Sequence, residues 1–265
     1  MEVIELIGYA LALLIGVSLG LIGSGGSILT VPILVYIMKI EPFLATAYSL
    51  FIVGSTAAVG SVKNVVDKKV NFKIVLLFGL PSLLAVYVTR AFLLPLVPET
   101  LAIGSLEFSK NIALMVLFAI VMFAAAIKMI QPAKKNEIIT TDTTIKILPL
   151  IIQGILIGLL AGTVGAGGGF LIIPALVIFS KIPMKDAIGT SLFIVAIQSL
   201  FGFLGDLGHQ TIDWQLLLSF SAVSIIGIFI GIFLSKKISD SNLKTGFGWF
   251  VLAMAIYILS KELLF

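Results

Sequence analysis

The sequence predicts an all-α integral membrane protein of about ten membrane-crossing segments, arranged as two inverted-topology repeats of five, each with a Gly-rich broken helix. Three observations predict it: a composition too apolar for a soluble globule, a pattern that returns in the second half, and lysines that change sides between the copies.

Of 265 residues, 60% are hydrophobic and 11% charged, and the mean hydropathy is +1.22. Soluble domains carry roughly 25% charged residues, so this chain cannot cover a water-facing surface and belongs in a lipid bilayer. The net charge of +4 and pI near 9.2 do not indicate a nucleic-acid binder, because the 17 Lys and Arg cap apolar runs instead of forming one basic face. The absence of cysteine excludes disulfides, thiolate metal sites and cysteine nucleophiles.

The repeat is read residue by residue. Gly16, Gly20, Gly23, Gly25, Gly26, Leu29, Pro32, Leu34 and Val35 recur, in one register, as Gly158, Gly162, Gly165, Gly167, Gly168, Leu171, Pro174, Leu176 and Val177. The register continues from Ala45 and Ser49-Leu50-Phe51-Ile52-Val53 to Ala187 and Ser191-Leu192-Phe193-Ile194-Val195, and then from Asn71-Phe72 to Asp213-Trp214. Composition alone would not hold a register over that distance, so the halves are duplicates. The first repeat is assigned to 1–130, a cytoplasmic linker to 131–145 and the second repeat to 146–265.

Apolar runs fall at about 3–22, 27–38, 43–62, 72–94, 110–130, 146–164, 169–180, 186–204, 213–235 and 244–260. A spanning helix needs roughly 20 residues, and only 27–38 and 169–180 are short. Each follows a glycine loop, so each half has one abnormal segment at the same place. Met1 to Glu5 contains two glutamates and no Lys or Arg, unlike a secretory leader. The first run is therefore expected to be a permanent span with its N-terminus outside.

If all ten runs cross, Lys39, Arg90, Lys110 and Lys261 lie on one side and the other thirteen basic residues, including Lys63, Lys68, Lys69 and Lys73, on the opposite one. Re-entrant short runs would erase that bias, and the positive-inside rule favours the crossing arrangement. Five crossings per half invert the second copy. The loops agree, since Lys63 to Lys73 carries four lysines and its counterpart, Gly205 to Gln215, has neither Lys nor Arg. The expected location is the inner membrane of a prokaryotic cell, with both termini outside.

The glycine loops, Gly23-Ser24-Gly25-Gly26-Ser27 and Gly165-Ala166-Gly167-Gly168-Gly169, are the first functional candidates. Each glycine inside a helix costs about 1 kcal/mol against alanine, and non-helical backbone is tolerated at membrane depth only where protein buries it or a cavity hydrates it. Helices restarting near Ser27 and Gly169 would aim unpaired N–H groups inward from opposite sides, which suits an anion. Close helix packing is the alternative, and Gly16-Gly20 and Gly158-Gly162 fit it. No strand precedes these loops and no Lys-Ser/Thr follows, so they are not nucleotide loops.

Ser49, Thr190 and Ser191 are hydroxyls in apolar spans that could bond an oxyanion or their own backbone. Gln198, whose counterpart is Thr56, is helix-to-helix glue or a substrate ligand. Asp206, counterpart of Asn64, is expected at the interface, and Arg90 is expected to snorkel to the headgroups. His209 is expected in a loop, and a single histidine builds neither a metal site nor a buried Ser/His pair.

The stretches GTVGAGGGFLIIPAL with AIGTSLF, and GLIGSGGSILTVPIL with AYSLF, resemble the TauE/SafE sulfite exporter family over nearly the whole chain. The resemblance implies secondary transport of small sulfur-containing anions such as sulfite or organosulfonates, with export the expected direction. It carries the glycines of both loops, Ser49, Thr190 and Ser191 into the substrate site. The first half departs from the fuller pattern, with Ser27 for Gly169 and Tyr48 for Thr190. A passive anion channel and carriage of another small solute remain open. No cofactor, metal or nucleic-acid partner is expected, H+ and Na+ are the candidate coupling ions, and both the choice between coupling ions and the oligomeric state are left open.

Overall fold

The computed structural model describes residues 3–103, 106–131, 147–179, 184–209, 211–235 and 240–264. All but Gln131 of the expected linker lies outside the described residues.

Among the described residues ten helical segments follow one another, five in each half. They are α1 (Val3–Ile22), α2 (30–37), α3 (Pro42–Val66), α4 (Phe72–Leu96) and α5 (Lys110–Ile130), then α6 (Ile147–Val164), α7 (Gly169–Phe179), α8 (Met184–Asp206), α9 (Trp214–Ser235) and α10 (Asp240–Leu264). Among the described residues, seven helical stretches are long and apolar enough to cross a membrane, and Ile7–Ile37 counts as one of them despite its break. The short α2 runs back along α1, so that Gly26 packs on Ser18 and Leu19 while Met38 returns to Gly8. A two-stranded antiparallel hairpin, β1 (Thr100–Ile103) with β2 (Leu106–Ser109), interrupts the expected all-α chain between α4 and α5.

Local chemistry places the irregularities. Widened π turns at Ile33–Ile37, Val75–Gly79 and Thr89–Leu93 lie beside Pro32, Pro81 and Pro95. A proline has no N–H and its ring crowds the carbonyl four residues back, which the turns containing Leu77 and Ala91 relieve for Pro81 and Pro95; the turn at Ile33–Ile37 instead follows its proline. Asn71 caps α4 by accepting from the amides of Lys73 and Ile74, at 3.1 and 3.3 Å. Its counterpart Asp213 accepts from the amide of Leu216 at 3.0 Å.

Packing follows the sequence offset. Helices α3 and α8, which are counterparts, lie antiparallel at the centre, with Gly54 on Leu200, Gly60 on Leu192 and Gly202 on Leu50. Around them α1 runs parallel to α9, with Gly16 on Ser224 and Gly227, and Gly20 on Ile228 and Gly231. The offset turns that pair into α6 beside α4, where Gly158 meets Ser82 and Ala85, and Gly162 meets Val86 and Thr89. Small residues at four-residue spacing let the backbones approach, and in lipid such close packing drives helix association. Helices α5 and α10 complete the bundle against each other.

Candidate functional site

The two glycine breaks meet inside the bundle. The Ser24 hydroxyl donates to the Gly169 carbonyl at 2.9 Å and lies 2.8 Å from the Ser191 Oγ, which itself donates to the Ile188 carbonyl at 3.0 Å. All of Gly23–Leu29 is buried. A methyl group on Gly169 would overlap Ser24, and one on Gly167 would press on the Ser199 hydroxyl and Val53.

The two breaks differ in detail. Gly165, Gly167 and Gly168 all have positive φ, at 71°, 66° and 63°, whereas the first break has only Gly23, at 69°. Gly23–Leu29 winds as a tight 3-10 stretch, so regular helix resumes at Thr30, three residues later than the sequence suggested. In the second half α7 does begin at Gly169, and the amides of Leu171 and Ile172 turn back to the Gly168 carbonyl at 2.9 and 3.1 Å. Amides ahead of them have no carbonyl one turn back, as at any helix start. Gly25 rests on the Ile22 side chain.

Several hydroxyls near the breaks are fully buried and have no partner: Ser27, Thr30, Ser49, Thr56 and Ser199. Buried polar groups are normally paired, so these hydroxyls are donors open to a guest. Gln198 acts as glue. It accepts from the Ser82 hydroxyl at 2.7 Å and donates to the Gly167 carbonyl, tying α8 to α4 and to the second break. The offset counterparts are Thr56 and Ser224, and Thr56 is too short to repeat the bridge; both hydroxyls are left without partners. Thr190 accepts from the Asn71 amide at 3.0 Å, and its counterpart Tyr48 accepts from the Asp213 amide at 2.7 Å. These two therefore fasten the starts of α4 and α9, and Thr190 stands at the margin of the site.

Arg90 and Asp206 are where the sequence reading fails. Both are fully buried, so neither side chain is exposed to headgroups or water. Arg90 Nε and Nη2 converge on Asp206 Oδ2 at 2.8 and 2.6 Å, and Nη1 donates to Thr46 Oγ1 at 2.9 Å and to the Gly162 carbonyl at 3.3 Å. Gly162 is in the last turn of α6 and Gly165 packs on Thr46, so this charge pair sits at the edge of the second break. Arg90 also lies 5.5 Å from the centre of the Phe43 ring, with Lys110 Nζ 4.5 Å from the same ring. His209 lies in the turn after α8 and is exposed, as expected. Among the described residues, no cluster of three or more His, Cys, Asp or Glu side chains could hold a metal ion.

The outer face carries apolar grooves. One of about 690 Å³ between α4 and α6 is lined by residues such as Leu76, Leu80, Leu84, Ile151 and Ile155, a surface suited to acyl chains.

Comparison with known proteins gives one family. The family model for the sulfite exporter TauE/SafE matches residues 8–258. A probable membrane transporter protein of Xylella fastidiosa is 30% identical over 254 residues, covering 94% of this chain and 92% of the relative. A probable membrane transporter protein of Haemophilus influenzae is 28% identical over 274 residues, covering 94% and 95%. No solved structure matches.

Proposed function

The chain belongs to the TauE/SafE sulfite exporter family of membrane transporters, and from that premise we propose that it is a secondary transporter of small sulfur-containing oxyanions, such as sulfite or organosulfonates. The observation that carries the reading is the meeting of the two breaks, with Ser24 bonded across to Gly169 beside Ser191. The start of α7 contributes amide donors and the positive end of a helix dipole. The unpartnered Ser27, Ser49 and Ser199 hydroxyls add donors that carry no charge of their own. The proposed pocket comprises Gly23–Ser27 and Gly165–Gly169 with Ser49, Ser191 and Gln198, and Thr190 at its rim.

An inverted arrangement of the halves is supported by the antiparallel packing of the counterparts α3 and α8 and by the reciprocal pairs α1–α9 and α4–α6. Chain direction also supports the lysine split, because the α3–α4 turn with Lys68 and Lys69 sits beside Gly189, near the start of α8. We place that end on the cytoplasmic side of a prokaryotic inner membrane and both termini outside. The hydrogen-bonded breaks correspond to a closed state. Alternating access follows when one half rocks against the other and the Ser24–Gly169 contact opens. Export is the proposed direction.

Proteoliposome flux with labelled sulfite and sulfoacetate, and a cation control, tests the proposal. Saturable anion flux stimulated by anion on the opposite face is expected. Cation uptake without anion flux rejects it, and non-saturable anion flux replaces the carrier by a channel.

A further inference from the structure

The Arg90–Asp206 pair is not required by the architecture. By the offset that relates the halves, Arg90 corresponds to Ile232, Asp206 to Asn64, Thr46 to Ile188 and Gly162 to Gly20. The first half closes the same helix contacts, Gly20 on Ile228 and Gly23 on Ile188, with no charge in that place. Burying an ion pair is a weak route to stability, because desolvation offsets the Coulomb attraction. Ionisable residues inside a membrane are expensive and usually functional.

The geometry of the pair is lopsided. Arg90 Nε donates to Asp206 Oδ2 and Nη2 lies against the same oxygen without completing a hydrogen bond, while Oδ1 is buried with no partner. A guanidinium fork facing a carboxylate can engage both oxygens; here one is left over. The fork also presents the donor geometry that a sulfonate or sulfite oxygen pair accepts, and it lies one turn from the Gly165 break.

Resting on the oxyanion-transport reading, we infer that Asp206 is an exchangeable counterion: the substrate oxyanion replaces it on Arg90, and the released carboxylate takes up one proton. The proton comes from the aqueous phase and adds to a carboxylate oxygen, with Oδ1 the unoccupied one. Before exchange the site holds Arg90 and the Asp206 carboxylate; afterwards it holds Arg90, the anion and a neutral acid. Charge is conserved, and no bare carboxylate is left in low dielectric. Anion and proton therefore move together, and outward transport requires internal anion to outweigh any inward proton gradient. The other charged or titratable groups near the pair are His209, whose amide bonds the Asp206 carbonyl at 3.0 Å, and Lys110, across the Phe43 ring from Arg90.

The test uses the full chain in proteoliposomes holding a pH dye, with labelled methanesulfonate, an anion that carries no proton near neutral pH. Wild type should move about one proton per anion. Asp206→Asn should bind the anion about 10–100-fold more tightly, the loss of one charge-assisted competitor, and should exchange anion with no proton movement. Arg90→Gln should lose affinity by a similar factor. The double variant Arg90→Ile with Asp206→Asn reproduces the first half's residues, so it should fold and bind no anion even if a single variant fails to fold. An Asp206→Asn protein that binds like wild type or still moves protons overturns the inference, as does a double variant that transports. If wild type moves no sulfur anion at all, it is the transport reading that fails.

Discussion

Replacing Gly165 by alanine tests how the second break is built. At φ 71° an L-residue is strained, at a cost of about 1–2 kcal/mol. The added methyl would also press on Thr46, whose Cα and carbonyl oxygen would lie 2.7 and 2.8 Å away. These are backbone atoms that cannot rotate aside, and overpacking of this kind costs about 1–3 kcal/mol more. Gly23 has the same φ class, at 69°, but its methyl would meet one side-chain methyl, the Ile188 Cγ2 at 2.8 Å, with the nearest backbone atom of Ile188 at 3.7 Å. Its cost should stay near the conformational term of about 1–2 kcal/mol. Gly208 has nothing within 4 Å and serves as the control. Unfolding of the three alanine variants in detergent, followed by tryptophan fluorescence, should rank Gly165 as most destabilised, then Gly23, then Gly208. Because Thr46 also accepts from Arg90, Gly165→Ala should weaken anion binding as well. Equal stability of the Gly165 and Gly208 variants would refute the reasoning.

Other substitutions probe the remaining contacts. Gln198→Leu strips partners from the Ser82 hydroxyl and the Gly167 carbonyl and should destabilise by about 2–4 kcal/mol in the same unfolding assay. Thr56→Val removes a buried hydroxyl that has no partner, so it should be neutral or slightly stabilising. Tyr48→Phe deletes the acceptor of the Asp213 amide and should cost about 0.5–1.5 kcal/mol. Gly227→Leu would drive a side chain into the Leu13 carbonyl, and cross-linking should show α1 separated from α9.

The parts legible in the sequence were those that repeat. The doubled glycine loops announced the breaks, and the offset that aligned Gly16 with Gly158 also predicts which surfaces they pack on, since Ser224 and Gly227 are the counterparts of Ser82 and Ala85. The Arg90–Asp206 pair was illegible because its members are 116 residues apart and each ends an apolar run. There, a snorkelling side chain and a buried one look alike. One signal was present, in that Arg90 stands where the repeat has Ile232. The role of Thr190 was missed for a related reason, since its partner is the amide of Asn71, and backbone donors leave no mark in sequence. The course of the short segment was not legible, because α2 turns back along α1 after a 3-10 stretch, which run length cannot show.

The most direct measurement is the position of a bound oxyanion, using selenite as an anomalous-scattering analogue of sulfite in crystals of the full chain. The account predicts a peak within hydrogen-bonding reach of Ser24, Ser191 and the start of α7, and a second on Arg90 where Asp206 has been displaced. A selenite peak away from both breaks, in protein shown to transport sulfite, would contradict it.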